Sequence, residues 1–464
     1  MKSINFFIIF IIEYFLISTS ENKILFIFEL FRHGARSSSD LFENDLDLIR
    51  EKWYGSLELT YVGIRQLYLL GHFIRNKYPD LINYKKYNPK EIEVLSTMTN
   101  RTIMSARAHV NGIFNNTEKN QIDDNQINLA IPYYLSNEID EININNTSLY
   151  PDNFPEEVPV HIIDYNEKLI QLEKNDKCPA IKEMKEENRE RQEIKDFIQE
   201  FKSTFGEQLL KIYNNKDYDY YMDYENVNDI CISIIINKYD DRKFIFFNNE
   251  IDLDLFYKMA LKFFGLKTNL VYANNINGTL GYAGSSIFLR KILSYMENII
   301  NDLENRNNKS PKLVVYASHD TAIANMEGIL DNLFDIEPIP PTYSSSYIFE
   351  LTKNEDNNEY FVNLVFNNET LKTIEFNMFK NKIISDSWTY EETGKYCGFL
   401  KKEDKKPKNN NKRNKKIWMI IIIIFGLLNA ALIGLIIYLL IPKKNFHDFL
   451  EIIKGQNKIE IIKS

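Results

Sequence analysis

Cysteine is nearly absent from this 464-residue chain: there are three, Cys178, Cys231 and Cys397. Three thiols allow at most one bridge and one free thiol, which excludes a disulfide-framed fold. Histidine is scarce too. Six residues with no paired spacing offer no ligand set for a metal, and neither metal nor cofactor is expected. No internal repeat is visible, which removes solenoids and propellers. The body of the chain is short of positive charge. Residues 21–400 hold 41 basic and 59 acidic side chains, a net of −18, against −9 for the whole chain. Nucleic-acid binding by this body is thereby disfavoured. An anionic ligand would have to be held by a local arginine cluster against the global field.

Apolar residues make up 44% of the chain and aromatics 13%, ample for a large packed core. The length suits one large domain, or a core with an inserted one. Both ends carry membrane-type segments. Met1-Lys2 precedes an apolar run, Ile4–Ile17, broken by Asn5, Glu13 and Tyr14 and followed by Ser18-Thr19-Ser20. Residues 1–20 read as a cleaved signal peptide, with a buried amino-terminal strand or helix as the alternative. Ile417–Ile441 is uncharged throughout. At about 1.5 Å per residue it is long enough to span a bilayer as a helix. Between body and span, residues 401–416 hold nine basic and two acidic side chains and read as a disordered stalk.

A signal peptide plus a stop-transfer span puts the body outside or in a lumen and the tail, 442–464, in the cytosol. The expected location is a single-pass type I protein of the lysosome, another acidic lumen or the cell surface. The basic stalk opposes the positive-inside tendency, but long domains translocate largely regardless of charge. Gly426, Ala430 and Gly434 leave a helix–helix face or a chance stripe open. Phe446, Phe449, Leu450 and Ile453 fit a tail lying on the inner membrane surface, or a sorting signal. Sequons at Asn115, Asn145, Asn146, Asn277, Asn308 and Asn368 accord with export, although an asparagine-rich chain produces some by chance. Asn100 also heads a sequon and is expected bare, because it adjoins Arg101.

The chemistry concentrates in two places. Arg32-His33-Gly34-Ala35-Arg36 follows Ile24–Phe31, an apolar run that reads as a buried strand. Arginine forks bind phosphate oxygens in bidentate fashion. The glycine marks a tight turn or a close approach. Far downstream, the strand-like Lys312–Ala317 ends in Ser318-His319-Asp320. Each strand thus delivers a histidine at its carboxyl end, where open α/β sheets place their sites. A lone His-Asp dipeptide means little; the strand context and the five-residue motif give it weight.

The coarse organisation is α/β. Thr60 can cap a helix in which Ile64, Leu67, Tyr68, Gly71 and Ile74 recur at helical spacing, ending before Pro79. Ile92–Leu95 reads as a strand and Arg101–Val110 as the helix after it. Residues 120–265 turn polar and helix-rich, as in Lys182–Lys211, and look like an inserted cap. Ser285–Leu303 and the segment from Thr321 read as helices of the resumed body. His72 and His109 are expected at the surface or between helices. His161 is expected near the pocket or away from it.

The two motifs resemble those of the histidine acid phosphatase family, Arg-His-Gly-x-Arg-x-Pro and a late His-Asp. Trp53, Gly55, Leu59, Thr60, Gly63 and Gln66 are similar to a further family region. Ser96-Thr97 and Arg101–Ala106 are similar to the segment with the family's third phosphate arginine. Pro159-Val160-His161 and Asn175–Pro179 resemble later landmarks, so the likeness covers roughly residues 22–400. Ser38 stands where the family has proline, and Asn100 where it usually has aspartate. The resemblance implies an open mixed sheet flanked by helices, phosphoglycerate mutase-like, with a mostly helical cap. It implies a phosphomonoester hydrolase with His33 as nucleophile and Asp320 as proton donor. Arg32, Arg36, Arg101 and His319 would bind phosphate. It also implies a Cys178–Cys397 bridge, leaving Cys231 a buried free thiol.

The expected partners are a small phosphomonoester, the membrane through one helix, and a homodimer as an open alternative. Two other functions compete. A mutase-type phosphotransferase is opposed by Arg36, the His-Asp pair and the secretory topology. An inactive receptor or adhesion ectodomain has no need of all six polar site residues.

Overall fold

β1 (Lys23–Arg32) is buried without interruption from Leu25 onward, the pattern of a strand covered on both faces. Its side chains alternate. Phe26, Phe28 and Leu30 enter one apolar core, and Ile27 and Phe31 enter the other. The computed structural model describes residues 22–37, 57–114, 158–163, 178–213, 223–239, 252–273 and 279–398. The expected signal peptide, stalk, membrane span and tail lie outside them, as do Asn115, Asn145, Asn146 and Asn277. No described helix is long and apolar enough to cross a membrane.

After β1 come α1 (Tyr61–Lys77), β2 (Ile92–Ser96), α2 (Asn100–Ile113) and β3 (His161–Ile162). The helices α3 (Pro179–Arg189), α4 (Gln192–Tyr213), α5 (Tyr224–Lys238) and α6 (Leu253–Leu266) follow, and α6 runs into a π-helix, Lys267–Ala273. Then come α7 (Thr279–Glu304), β4 (Leu313–Ser318), α8 (Asp320–Phe334), β5 (Ser346–Lys353), β6 (Tyr360–Phe366), β7 (Glu369–Glu375), α9 (Phe376–Asp386) and α10 (Tyr390–Tyr396).

The described strands form one mixed sheet in the order β3-β2-β4-β1-β5-β6-β7. β3, β2, β4 and β1 are parallel neighbours. β5, β6 and β7 add an antiparallel meander on the other side of β1. α7, α8 and α9 cover one face through Leu289, Ile292, Met326, Ile329 and Phe379. α1 and α2 cover the other through Leu67, Ile74, Ala106 and Ile113. The α/β class and mixed sheet stand as expected.

Three expectations change in detail. The helical stretch Lys182–Lys211 is two helices, broken at Glu190-Arg191. The break falls in the wholly polar run 185–193, where hydrophobic periodicity is silent. His161 and Ile162 lie inside the expected cap limits, yet they pair with β2 in the main sheet. The cap helices continue past 265 to 273. The described cap has its own core of Phe197, Phe201, Phe205, Val227, Ile230, Phe256 and Phe263, which reaches Ala35 and Tyr343. A disulfide joins Cys178, at the start of the cap helices, to Cys397, after α10; Cys231 is free and buried.

Candidate active site

Register brings the two motifs together. In the parallel β1–β4 ladder Arg32 stands opposite Ser318, and the His33 N–H donates to the Ser318 carbonyl at 3.0 Å. The next residues, His33 and His319, therefore emerge side by side, with ring centroids 5.5 Å apart. On the far side of β4, Ser96 pairs with Ala317. The segment after β2 then turns into α2 and supplies Arg101.

Hydrogen bonds tie the motif loop to α1 and α2. Ala35 N–H donates to Gln66 Oε1 at 2.9 Å, and Gly34 N–H to Ser105 Oγ at 3.2 Å. Thr60 donates both its N–H and its hydroxyl to the Ala35 carbonyl while capping α1 through Gly63. The glycine meets protein backbone. A Cβ on Gly34 would stand 2.4 Å from the Gly63 carbonyl oxygen.

His33 is 3% exposed. Its Nδ1 lies 2.8 Å from its neighbour's carbonyl, Gly34 O, so Nδ1 carries the proton and Nε2 keeps its lone pair. Burial, and after it the charges of Arg32, His319 and Arg101, hold this imidazole well below the usual histidine range. The neutral imidazole is thereby favoured.

Arg32 is held on several sides. Nη1 donates to Pro341 O at 2.9 Å and Nη2 faces Asp320 Oδ2 at 2.9 Å. The guanidinium carbon lies 4.3 Å from the Tyr343 ring centroid and 5.1 Å from that of Phe264. Arg36 donates to Ser37 O at 2.9 Å and is half-buried. Arg101 Nη2 lies 3.3 Å from His319 Nδ1, whose Nε2 lies 3.1 Å from Thr97 Oγ1. His319 thus bridges Thr97 and Arg101. The Nε atoms of Arg32 and Arg101 are buried with no hydrogen-bond partner, two donors suited to an anion.

Asp320 opens α8. Burial alone would raise its carboxyl, but Arg32, and after it Lys267, His319 and Arg36, outweigh burial and hold it at about 2. All six expected residues, His33, Asp320, Arg32, Arg36, Arg101 and His319, therefore share one site.

Other histidines lie elsewhere. His161 is exposed on β3. His109 is neither at the surface nor between helices: it is fully buried and faces Glu29 of β1. Sequence reasoning missed Tyr343, Phe264 and Lys267. Lys267, on the π-helix, donates to Asn228 Oδ1 at 2.7 Å while its charge acts on Asp320. The three come from cap and loop segments with no motif spacing. Only the Pro340-Pro341 loop signal marks Tyr343. Among the described residues no group of His, Cys, Asp and Glu is placed to hold a metal ion.

The family model of the histidine phosphatase superfamily (branch 2) matches residues 23–367. Prostatic acid phosphatase of Bos taurus is 25% identical over 351 residues, covering 75% of this chain and 78% of that protein. Lysosomal acid phosphatase of Rattus norvegicus is 26% identical over 363 residues, covering 75% and 71%. The solved structure of the phytase from Citrobacter braakii is alike in fold, with a TM-score of 0.52 at 14% identity over 80% of this chain and 99% of that one. The chain belongs to the histidine phosphatase superfamily, branch 2, as a phosphomonoester hydrolase.

Proposed function

We propose that the chain is a membrane-anchored acid phosphatase that hydrolyses phosphate monoesters through a phosphohistidine on His33. One observation carries the mechanism. A neutral imidazole, its Nε2 lone pair unprotonated, stands beside buried guanidinium donors and one carboxylate at the ends of adjacent strands.

In the first step His33 Nε2 attacks phosphorus, the N–P bond forms and the ester P–O bond breaks. Asp320, which takes up a proton from solvent as the phosphate engages Arg32, gives it to the departing oxygen, which leaves as an alcohol. In the second step water attacks phosphorus and gives a proton to Asp320, and the P–N bond breaks to return His33. Arg32, Arg36 and Arg101 hold the phosphoryl oxygens, where charge sits in the transition state. His319 orients Arg101 and supplies a further donor when phosphate draws the guanidinium away.

Rapid quenching with labelled phosphomonoester tests this reading. Acid-labile phosphate should be trapped on His33, and His33→Ala should lose nearly all turnover while remaining folded. Wild-type-like turnover in that variant would end the proposal.

The finer location belongs to the same proposal: signal peptide 1–20, a lumenal or external catalytic body, and one span at 417–441. Support comes from the sequence pattern and from the prostatic and lysosomal acid phosphatases among the relatives. Asn308 and Asn368, two of the three described sequon asparagines, are exposed and open to glycosylation; the third, Asn100, adjoins Arg101 and donates to Glu58 Oε1.

A further inference from the structure

Glu29 is a carboxylate in the middle of an otherwise apolar stretch of the central strand, and it is 0% exposed. Burying a charged group is costly unless it is paired. Its partner, His109 on α2, is also 0% exposed, with Nε2 3.0 Å from Glu29 Oε2, a close contact without hydrogen-bond alignment. The His109 ring stacks on Phe31 with centroids 4.8 Å apart and planes 25° apart. The other carboxylate oxygen, Oε1, accepts the hydroxyl of Ser346 at 2.7 Å. Neither Glu29 nor His109 has a part in the phosphoryl-transfer steps.

The three elements joined at Glu29 all bear on the phosphate site. β1 ends in Arg32 and leads into His33. α2 carries Arg101 two turns before His109. β5 begins at Ser346, and the loop before it receives Arg32: Pro341 O accepts Nη1, and Ser345 O accepts the Arg32 N–H at 2.9 Å. We propose that the Glu29–His109 pair is a positioning device for the phosphate site, holding Arg101 in register with His33 and Arg32. This rests on the reading of Arg101 as a phosphate ligand.

A buried pair also affects folding, so the test separates the two. Loss of folded protein lowers apparent kcat and leaves the inhibition constant of inorganic phosphate untouched. A misplaced Arg101 raises that constant. Glu29→Leu and His109→Leu each strand a buried polar partner and should lose stability. The double variant replaces the pair by apolar groups and should regain it. Its inhibition constant for phosphate should nevertheless stay about fivefold or more above wild type, with kcat lowered as well.

Ser346→Ala is a milder second variant that does not depend on the double variant folding. It should raise the same constant about twofold to fivefold, with a smaller loss of melting temperature than either single leucine variant. Wild-type constants in either variant, once folded, would overturn the proposal. Arg101→Ala is measured in parallel. If it raises the constant while the other variants do not, the pair alone is misread. If Arg101→Ala leaves the constant unchanged, the phosphate-ligand reading falls and this proposal with it.

Discussion

Arg32 Nη2 stands 2.9 Å from Asp320 Oδ2, so the group proposed to give up a proton is a carboxylate in the free protein. Phosphate binding and acid catalysis are therefore coupled through one guanidinium. An oxyanion that engages Arg32 weakens the ion pair and brings negative charge beside Asp320. Both changes raise its pKa.

The coupling is measurable with sulfate, a dianion that does not itself titrate near pH 5. Calorimetry in buffers of different ionisation enthalpy should show proton uptake approaching about one per site at about pH 5. Asp320→Asn should remove most of that uptake. Wild-type binding without proton uptake would leave Asp320 ionised and unable to serve as the acid.

A second consequence concerns the leaving group. Asp320→Asn or Asp320→Ala removes the proton donor, a loss of about 10²–10⁴-fold for alkyl phosphates, whose departing oxygen needs the proton. With nitrophenyl phosphate the phosphorylation step should lose much less, because that leaving group departs without one. Pre-steady-state bursts compare the two. Equal losses would assign Asp320 to phosphate binding. In the wild type, turnover of alkyl phosphates should decline as rising pH strips the proton from Asp320 in the complex.

Much of this site is legible in the chain because its chemistry sits on two strand ends. Ile24–Phe31 and Lys312–Ala317 are continuous apolar runs, and each is followed at once by its histidine. Arg101 is legible through the likeness of its segment, Ser96-Thr97 and Arg101–Ala106, to the one that carries the family's third phosphate arginine. The meander β5–β7 was missed, although Asn367 and Asn368, at φ of 46° and 73°, form the tight turn between β6 and β7. Tyr343, Lys267 and the Glu29–His109 pair were not legible for a different reason. Their meaning arises from contacts between residues as much as 317 positions apart, as for Glu29 and Ser346. A single glutamate or histidine in an apolar segment carries no sign of its partner. His109 was misassigned on that account.

Stability should fall on acidification. The folded-state pKa of His33 is depressed, so below about 6.5 the unfolded chain takes up a proton that the folded protein refuses. Asp320 adds the same sign between its usual 3.8 and about 2. Each group costs at most about 1.4 kcal/mol per pH unit inside its own window. His33→Ala removes the first contribution. Its thermal midpoint should gain on wild type as pH falls below about 6. Parallel pH profiles for the two proteins would show that His33 is not held neutral by its surroundings.

The Cys178–Cys397 bridge closes a loop with a sequence separation of 219. The chain-entropy model gives about 5 kcal/mol for such a loop, an upper figure because residual structure in the unfolded chain reduces it. Cys178→Ser/Cys397→Ser should therefore lower the melting temperature by many degrees. Cys231→Ser should not produce this loop-opening loss, since that thiol is buried and unbridged, and burial pushes its pKa up. Peptide mapping without reductant checks the pairing directly. A peptide linking Cys231 to either partner would refute it.

Topology poses the sharpest conflict within the sequence. Residues 401–416 carry nine basic side chains before the span, and a flank rich in Lys and Arg favours the cytosol. The segment at residues 1–20 argues the opposite, and orientation is set before the span is made. An exported body should acquire glycans, with Asn308 and Asn368 as exposed acceptors, and glycosidase should increase its mobility on gels. Protease added to sealed vesicles should remove only residues 442–464 and leave the catalytic body whole. Digestion of the body in intact vesicles, together with an absence of glycan, would reverse the assignment. It would mean that the basic flank, not the amino-terminal segment, sets the orientation.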